Sequence, residues 1–443
     1  MSKSRYLRLA DTMARAIQSG KLAPGAKLPT HRAFAEQFDV ALATATRVYA
    51  ELERRGMVVG EAGRGTYVRD LALPMTLGVH QTASDGLIDL VFNIPGDAAD
   101  ADMLRAGLRK LAAAGDLEAM LRYQPHGGRI HERRIIANSL DPSLGKVDPE
   151  HLLVTSGGQH GLAITALGLL GRGDAVATDT LTYPGFKSVA ALQGVDLVPI
   201  EGRRGIMDPE RLDQQCRSGR ISAVYLMPTV HSPLGSVMDE ATRVAVIAVA
   251  RQHGLIIIED AAYAFLEPDP PPTFLAMAPE RTIYVGGFSK SIATGLRLGY
   301  VIAPPPKVGR LLEAIRATTW NTPALISGLV TGWIEDGTLK QSEEARRRDG
   351  AERQDICRTV LGDMPLLAHR NAGFAWLPFD QAVRTDPIVS RLREKGISVS
   401  GAAPYATTTA VPQALRLAFG SVAKNDLAPI LTAVRETVEG ACS

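Results

Sequence analysis

The stretch Gly286–Tyr300, GGFSKSIATGLRLGY, follows the apolar run RTIYV, which is typical of a strand buried on both faces. Lys290 comes directly after this run, and Arg297 follows it among small residues and hydroxyls. A lysine in this setting is either a surface ammonium whose stem packs on apolar neighbours or a placed reactive amine. The sequence on either side of Lys290 helps to distinguish these two interpretations.

Strands and helices alternate on both sides of this stretch. The segments HLLVTSGGQHGLAITALGLL, SAVYLMPT and GLIIIEDAA contain continuous apolar runs that end in small or polar residues. Such runs predict an α/β fold with a mostly parallel sheet. Ligands bind at the carboxyl ends of the strands in sheets of this kind, and the polar motifs of the chain lie at those ends.

Each of these motifs is ambiguous alone. The TSGGQHG turn that opens a helix is either a phosphate cradle or a plain glycine turn, and its candidate residues are Ser156, Gly157, Gly158 and Gln159. Asp260 and Tyr263 after a buried strand could be a capping residue and a core residue. Together with Lys290 and Arg297 they meet the needs of pyridoxal phosphate. The lysine binds the aldehyde, the aspartate keeps the pyridine nitrogen protonated, and Tyr183 stacks on the ring.

In these motifs the segment from about residue 87 to the end resembles fold-type I aminotransferases. The resemblance implies Lys290, Asp260 and Tyr263 as catalytic residues and a smaller α+β C-terminal part after the large sheet. It also implies further cofactor contacts from Ser232, Ser289, Arg297 and from Tyr123, which would reach the phosphate of a second subunit. Arg416, in LRLAF, is implied as the partner of a substrate or effector carboxylate, with a structural arginine as the alternative. Ser232 and Gly287 depart from the family pattern, which commonly has Asn and Ser there.

The first 69 residues predict a different fold. Three helical patterns are followed by two short β-rich runs around GEAGRG, an order that predicts a winged helix-turn-helix. These residues contain twelve Lys or Arg against six Asp or Glu, although the whole chain has a net charge of only +2. A basic head on an acidic body predicts a polyanionic partner, and the alternative is a small helical domain with a solvated basic face.

The same segment resembles the GntR-type winged-helix domain, from SGKLAPGAKLP through YAELERRG to the wing GRGTYV. The expected DNA contacts lie on the third helix, at the wing tip and at the start of the second helix; they are Thr44, Thr46, Arg47, Arg64 and Arg32. Ala41–Leu42 departs from the family, which usually has Ser–Arg where the recognition helix begins.

The length and composition of the chain indicate the number of domains and the cellular compartment. The 443 residues predict more than one domain, here residues 1–69, a linker over 70–86, and a body over 87–443. The body should divide into a large part over about 135–320 and a small part over about 325–443. Three widely separated cysteines show no disulfide or metal spacing, which predicts a cytoplasmic protein without a metal site. No apolar segment is typical of a signal peptide or a membrane span.

A GntR-type head joined to an aminotransferase-like body resembles the MocR family of bacterial regulators. The resemblance implies a transcription regulator that senses pyridoxal phosphate, or an amino compound by aldimine exchange at Lys290, and that binds double-stranded operator DNA as a head-to-tail homodimer. Two alternatives stay open at this point. One is an active aminotransferase with an accessory DNA-binding head, and the other is a DNA-binding protein whose body has lost the cofactor.

Overall fold

The protein is described from a computed structural model, which covers residues 5–19, 21–23, 25–54, 57–61, 65–68, 86–94, 98–113, 117–217 and 219–442. The predicted linker lies outside these residues except for Gly86. Arg64, the predicted DNA contact at the wing tip, also lies outside them.

The head forms three helices and a hairpin: α1 (Arg5–Gln18), α2 (His31–Gln37), α3 (Leu42–Arg54), β1 (Val58–Glu61) and β2 (Gly65–Val68). Strands β1 and β2 pair antiparallel. Phe34 of α2, Val48 and Leu52 of α3, and Val68 of β2 are fully buried in a common core. The predicted winged helix-turn-helix is therefore confirmed.

The body begins at Gly86 and alternates strands and helices. In chain order its elements are β3 (Ile88–Asp89), α4 (Ala98–Ala113), α5 (Leu117–Met120), α6 (Ile130–Ser139), β4 (Leu152–Thr155), α7 (Gly158–Leu169), β5 (Ala175–Asp179), α8 (Pro184–Gln193), β6 (Asp196–Ile200), β7 (Gly202–Arg203), β8 (Ile206–Met207), α9 (Pro209–Cys216), β9 (Ile221–Leu226), α10 (Glu240–His253), β10 (Ile256–Asp260), α11 (Phe274–Met277), β11 (Thr282–Gly287), β12 (Gly299–Ile302), α12 (Pro305–Thr318), α13 (Ala324–Glu335), α14 (Thr338–Leu361), β13 (Phe374–Pro378), α15 (Thr385–Glu394), β14 (Ile397–Ser398), β15 (Ser400–Gly401), β16 (Ala414–Ala418) and α16 (Lys424–Cys442).

The large sheet has seven strands in the order β4-β12-β11-β10-β9-β5-β6. Strand β12 runs antiparallel to both of its neighbours, and the other four pairings are parallel. One face packs on α7, α8 and α12 and the other on α9, α10 and α11. Burial on both faces explains why these strands are continuous apolar runs, and the predicted mostly parallel α/β sheet is confirmed.

The C-terminal part is a three-stranded antiparallel sheet in the order β13-β16-β15, packed on α14, α15 and α16. It also includes the first strand of the body, because β3 pairs parallel with β14. The chain thus enters the body at the C-terminal part and crosses to the large sheet afterwards. No helix in the described segments is long and apolar enough to cross a bilayer.

The head contacts the C-terminal part of its own chain. The Arg384 guanidinium, just before α15, lies 3.7 Å from the centre of the Tyr67 ring on β2. Pro387 lies beside Gly25, close enough that a Cβ at Gly25 would be 3.0 Å from the proline ring. These contacts join the wing and the segment between α1 and α2 to the start of α15.

Candidate functional site

A cavity of about 420 Å³ lies where the carboxyl ends of the central strands face the C-terminal part; we call it the cofactor cavity. Ten of the residues selected from the sequence line it: Gly158, Gln159, Tyr183, Ser232, Asp260, Tyr263, Ser289, Lys290, Arg297 and Arg416. Three others, Ser156, Gly157 and Tyr123, are not among its lining residues. The sequence motifs are therefore brought together from strands and loops that are far apart along the chain.

Lys290 lies in the cofactor cavity at the end of β11. Its Nζ donates a hydrogen bond to the Asn93 carbonyl, 2.8 Å away, and lies 5.8 Å from the centre of the Tyr263 ring. Burial alone would raise the pKa of the Tyr263 phenol, but the nearby positive charges of Lys290 and Arg416 outweigh it and lower that pKa. The amine and the phenol thus lie close to one another in the cofactor cavity.

Asp260 is fully buried at the end of β10. One carboxylate oxygen accepts a hydrogen bond from the Tyr225 hydroxyl at 2.7 Å, and the other accepts one from the Ala262 amide at 3.0 Å. Burial raises the pKa of Asp260, and these two donors oppose that rise. A buried carboxylate with only these donors is suited to a cationic partner, such as a protonated pyridine nitrogen.

Tyr225 itself is held by stacking. Its ring lies 3.8 Å from the ring of Phe186, and the two planes are 5° apart. Tyr225 belongs to β9, which pairs parallel with β10, and this register brings its hydroxyl to Asp260. The sequence analysis did not select it. The available signal was a tyrosine near the end of a buried strand, together with a buried aspartate that needed a donor.

The opposite end of the cavity is suited to an anion. Helix α7 begins at Gly158, where backbone N–H groups are free of helical partners, and the Arg297 guanidinium donates to the Ser289 hydroxyl at 3.1 Å. Gly157 adopts φ +86°, and a Cβ there would lie 2.6 Å from Arg297 Nη2. Gly157 therefore lets the guanidinium approach the helix start, although it does not itself line the cavity.

The backbone amide of Ser156 is bonded to a residue of the first turn of α7. Its amide donates to His160 Nδ1 at 3.1 Å, and His160 Nε2 lies 2.9 Å from the Thr318 hydroxyl. A ring nitrogen that accepts is unprotonated, so His160 is neutral and donates through Nε2. Burial also lowers the pKa of His160, which favours this neutral form.

Arg416 enters the cavity from β16. It is 4% exposed, and one Nη donates to the Val91 carbonyl at 2.8 Å. Its Nε is buried and has no hydrogen-bond partner among the residues that the structure describes. The rings of Phe374 and Tyr405 lie 4.9 and 5.7 Å from its guanidinium carbon. A buried guanidinium with an unused donor fits a carboxylate better than a purely structural role.

The segment Val91–Asn93 contacts both of these cations. Val91 O accepts from Arg416 and Asn93 O accepts from Lys290, and all three residues of the segment line the cavity. The sequence analysis missed this segment because carbonyl oxygens are present at every position and leave no side-chain pattern.

Tyr123 lies on the surface. It is 87% exposed, and its ring lies 5.8 Å from that of Trp320, which is itself 45% exposed. Tyr123 does not reach the cofactor cavity of its own chain. This position is compatible with the predicted contact to a second subunit, which stays a prediction.

Four of the predicted DNA-contacting residues lie in the described part of the head, on α2 and α3. Arg32 and Arg47 are exposed, and Thr44 is half-buried. The Thr46 hydroxyl donates to the Leu42 carbonyl at 3.0 Å and lies 3.3 Å from His31 Nδ1. Thr46 is therefore less available for hydrogen bonding to a base than the sequence analysis expected.

Comparison with known proteins bears on both parts of the chain. Residues 86–434 match the family model described as aminotransferase class I and II. The chain belongs to this family. Residues 5–68 match the model for bacterial regulatory proteins of the gntR family, so the predicted combination of the two folds is confirmed.

Two relatives match most of the chain. The HTH-type transcriptional regulator YdeF of Bacillus subtilis is 29% identical over 85% of this chain and 81% of its own. The HTH-type pyridoxine biosynthesis transcriptional regulator PdxR of Corynebacterium glutamicum is 27% identical over 97% and 95%. Among solved structures, kynurenine aminotransferase of Pyrococcus horikoshii matches with a TM-score of 0.75 and 21% identity, covering 81% of this chain and 92% of that one. This last similarity shows the fold.

The cofactor of this family is pyridoxal phosphate, and the cavity fits it. Lys290 would hold the aldehyde carbon, Asp260 the pyridine nitrogen, and Arg297 with the start of α7 the phosphate. The two departures lie at the same cavity. Ser232 lines it, and at Gly287 a Cβ would lie 3.3 Å from the Leu298 carbonyl, so glycine allows β11 to pack closely there.

Proposed function

We propose that this protein is a DNA-binding transcription regulator whose body binds pyridoxal phosphate and senses an amino compound or the cofactor itself. The observation that carries the proposal is the combination, in one chain, of a basic winged-helix head with a buried cavity that contains Lys290, Asp260 and Arg416. The HTH-type names of these two relatives support it.

The cavity suggests which ligand class is sensed. Pyridoxal phosphate supplies an aldehyde that condenses with primary amines. Lys290 provides the resident amine, and Tyr263 is close enough to exchange a proton with it. Arg416 supplies a buried cation for a carboxylate on the ligand. An amine that also has a carboxylate could therefore react with the aldehyde at Lys290 and bind Arg416 through its carboxylate.

We further propose that the regulator acts as a head-to-tail homodimer in the cytoplasm. Tyr123 does not line its own cavity and is exposed beside Trp320, which leaves it available to a second copy. Two heads in one dimer would bind two operator half-sites at a spacing that the body determines.

Fluorescence anisotropy with the DNA upstream of the protein's own gene tests the regulatory function. The protein is compared without cofactor, with pyridoxal phosphate, and with the cofactor plus a panel of amines and amino acids. We expect sequence-specific binding that shifts with the cofactor or with one class of amine, since a ligand must bind two conformations differently to move the heads. Arg416→Gln should abolish the response to carboxylate-bearing amines only. Weak, sequence-indifferent binding that no ligand changes would refute the proposal.

The second candidate is an active aminotransferase with an accessory head. The convergence of Lys290, Asp260, Tyr263 and Arg416 in one cavity favours it. Turnover of amino acids to oxo acids by the purified holoprotein, at rates typical of enzymes, would establish this alternative.

A further inference from the structure

The N-terminal turn of α3 has an unusually apolar surface. Leu42, the first residue of the helix, is 48% exposed. In the described part of the head, no other large apolar side chain is this exposed. Ala41 and Ala43, on either side of Leu42, are exposed as well.

The helix gains no local benefit from this apolar turn. Ala41 occupies the N-cap position, because its carbonyl accepts from the amides of Thr44 and Ala45 at 2.8 and 3.1 Å. An alanine there cannot cap the free N–H groups as serine, threonine or aspartate would. Leu42 lies at the start of the helical stripe that continues through Ala45 and Tyr49, but it is 48% exposed whereas those two residues are buried. The exposed leucine is therefore not explained by the stability of the head.

The polar groups nearby offer little hydrogen bonding to bases. The Thr46 hydroxyl is engaged with the Leu42 carbonyl and lies beside His31 Nδ1. Arg47 is exposed and contributes positive charge next to the apolar turn. This end of the helix thus presents apolar groups beside the Arg47 guanidinium and the half-buried Thr44.

The four bases differ in how favourably their major-groove edges contact an apolar surface. Guanine, cytosine and adenine present hydrogen-bonding groups there, whereas thymine also presents its C5-methyl group. An apolar side chain over a G·C pair would bury acceptors and a donor without partners, and over thymine it would contact the methyl group. The six excess positive charges of residues 1–69 supply the attraction to the DNA backbone.

From the proposed function as a DNA-binding regulator, we infer that Leu42 is a specificity-determining residue that contacts thymine C5-methyl groups in the major groove. Each operator half-site then has thymine under the first turn of α3, and Arg47 contacts the DNA nearby.

The test uses the full-length protein with pyridoxal phosphate. Bound sequences are first selected from a random duplex pool. Each thymine of the selected duplex is then replaced singly by deoxyuridine, which removes only the C5-methyl group, and affinity is measured by fluorescence anisotropy. At one or two positions per half-site we expect the wild-type protein to bind the deoxyuridine duplex about three- to tenfold more weakly.

The variants assign the effect to one side chain. Leu42→Ala should bind the thymine and deoxyuridine duplexes equally, and Leu42→Met should keep the preference. Leu192→Ala is the matched control, because Leu192 is 88% exposed on α8 of the body. Truncation of an exposed leucine leaves the fold intact, which circular dichroism verifies.

Two outcomes overturn the inference in distinguishable ways. Specific binding that is indifferent to every deoxyuridine replacement, or an unchanged preference in Leu42→Ala, refutes the role of Leu42 and leaves the regulator intact. Failure to select any preferred sequence refutes the proposed function together with this inference.

Discussion

Replacing Tyr225 by phenylalanine should weaken cofactor binding without disturbing the fold. The substitution removes one hydroxyl, which donates at 2.7 Å to the fully buried Asp260 carboxylate. The ring remains, so its stacking on Phe186 at 3.8 Å is kept and no cavity forms. Asp260 then has the Ala262 amide as its remaining donor among the described contacts.

The magnitude follows from the charge of the acceptor. A hydrogen bond to a charged group contributes about 1.5–3 kcal/mol. Because the Tyr225 hydrogen bond opposes the rise that burial causes, loss of this donor raises the pKa of Asp260 further. The carboxylate must be charged to keep the pyridine nitrogen protonated. Cofactor affinity should therefore fall by about tenfold to a hundredfold.

Spectrophotometric titration of the cofactor-free protein with pyridoxal phosphate measures this loss. Tyr284→Phe is the matched control, since Tyr284 is also buried, two strands away on β11, but its hydroxyl is bonded to Tyr300 and not to Asp260. The control should bind within about twofold of wild type, well below the change expected from a lost charged hydrogen bond. Wild-type affinity in Tyr225→Phe, or an equal loss in both variants, would refute the reasoning.

Further predictions concern both parts of the chain. Lys290→Ala should abolish covalent attachment of the cofactor while leaving the fold intact, and borohydride-reducible labelling that persists in the variant would contradict this assignment. Gly157→Ala should reduce cofactor affinity at least about tenfold, because the alanine Cβ would clash with the Arg297 guanidinium. Gly173→Ala, at nearly the same φ but with open space around it, controls for the backbone cost and should bind normally. Arg47→Ala should lower the slope of log affinity against log salt by about one, and an unchanged slope would exclude a phosphate contact. Ala41→Ser should add an N-cap worth about 1 kcal/mol to α3, seen as roughly fivefold slower amide exchange in its first turn, whereas unchanged exchange would speak against capping there.

Much of the fold could be predicted because local sequence and global structure agree. Buried strands such as β10 and β11 are apolar throughout, so their ends could be located and their polar residues grouped. In the head, the apolar spacing of α3 matches its buried face, and Thr30 caps α2 through its hydroxyl as expected of an N-cap.

The missed parts of the site depend on tertiary contacts that have no local pattern. Tyr225 reaches Asp260 only because β9 lies next to β10, and strand order cannot be derived from periodicity. Asn93 contacts Lys290 through its backbone carbonyl, which any residue could provide. Thr46 was selected for a hydroxyl that the fold engages with its own helix.

The attachment of the body's first segment has a consequence for how such proteins can evolve. Val91 and Asn93 accept from Arg416 and Lys290, and the intervening chain back to Gly86 is fixed to the C-terminal sheet at Leu90. A ligand that binds Arg416 or Lys290 must therefore compete with the backbone carbonyls of the segment that leads to the head. These contacts involve no residue of the head. A different DNA-binding module joined ahead of Gly86 would therefore be linked to the ligand site through the same segment. New operator sequences could then be acquired without changes to the ligand site.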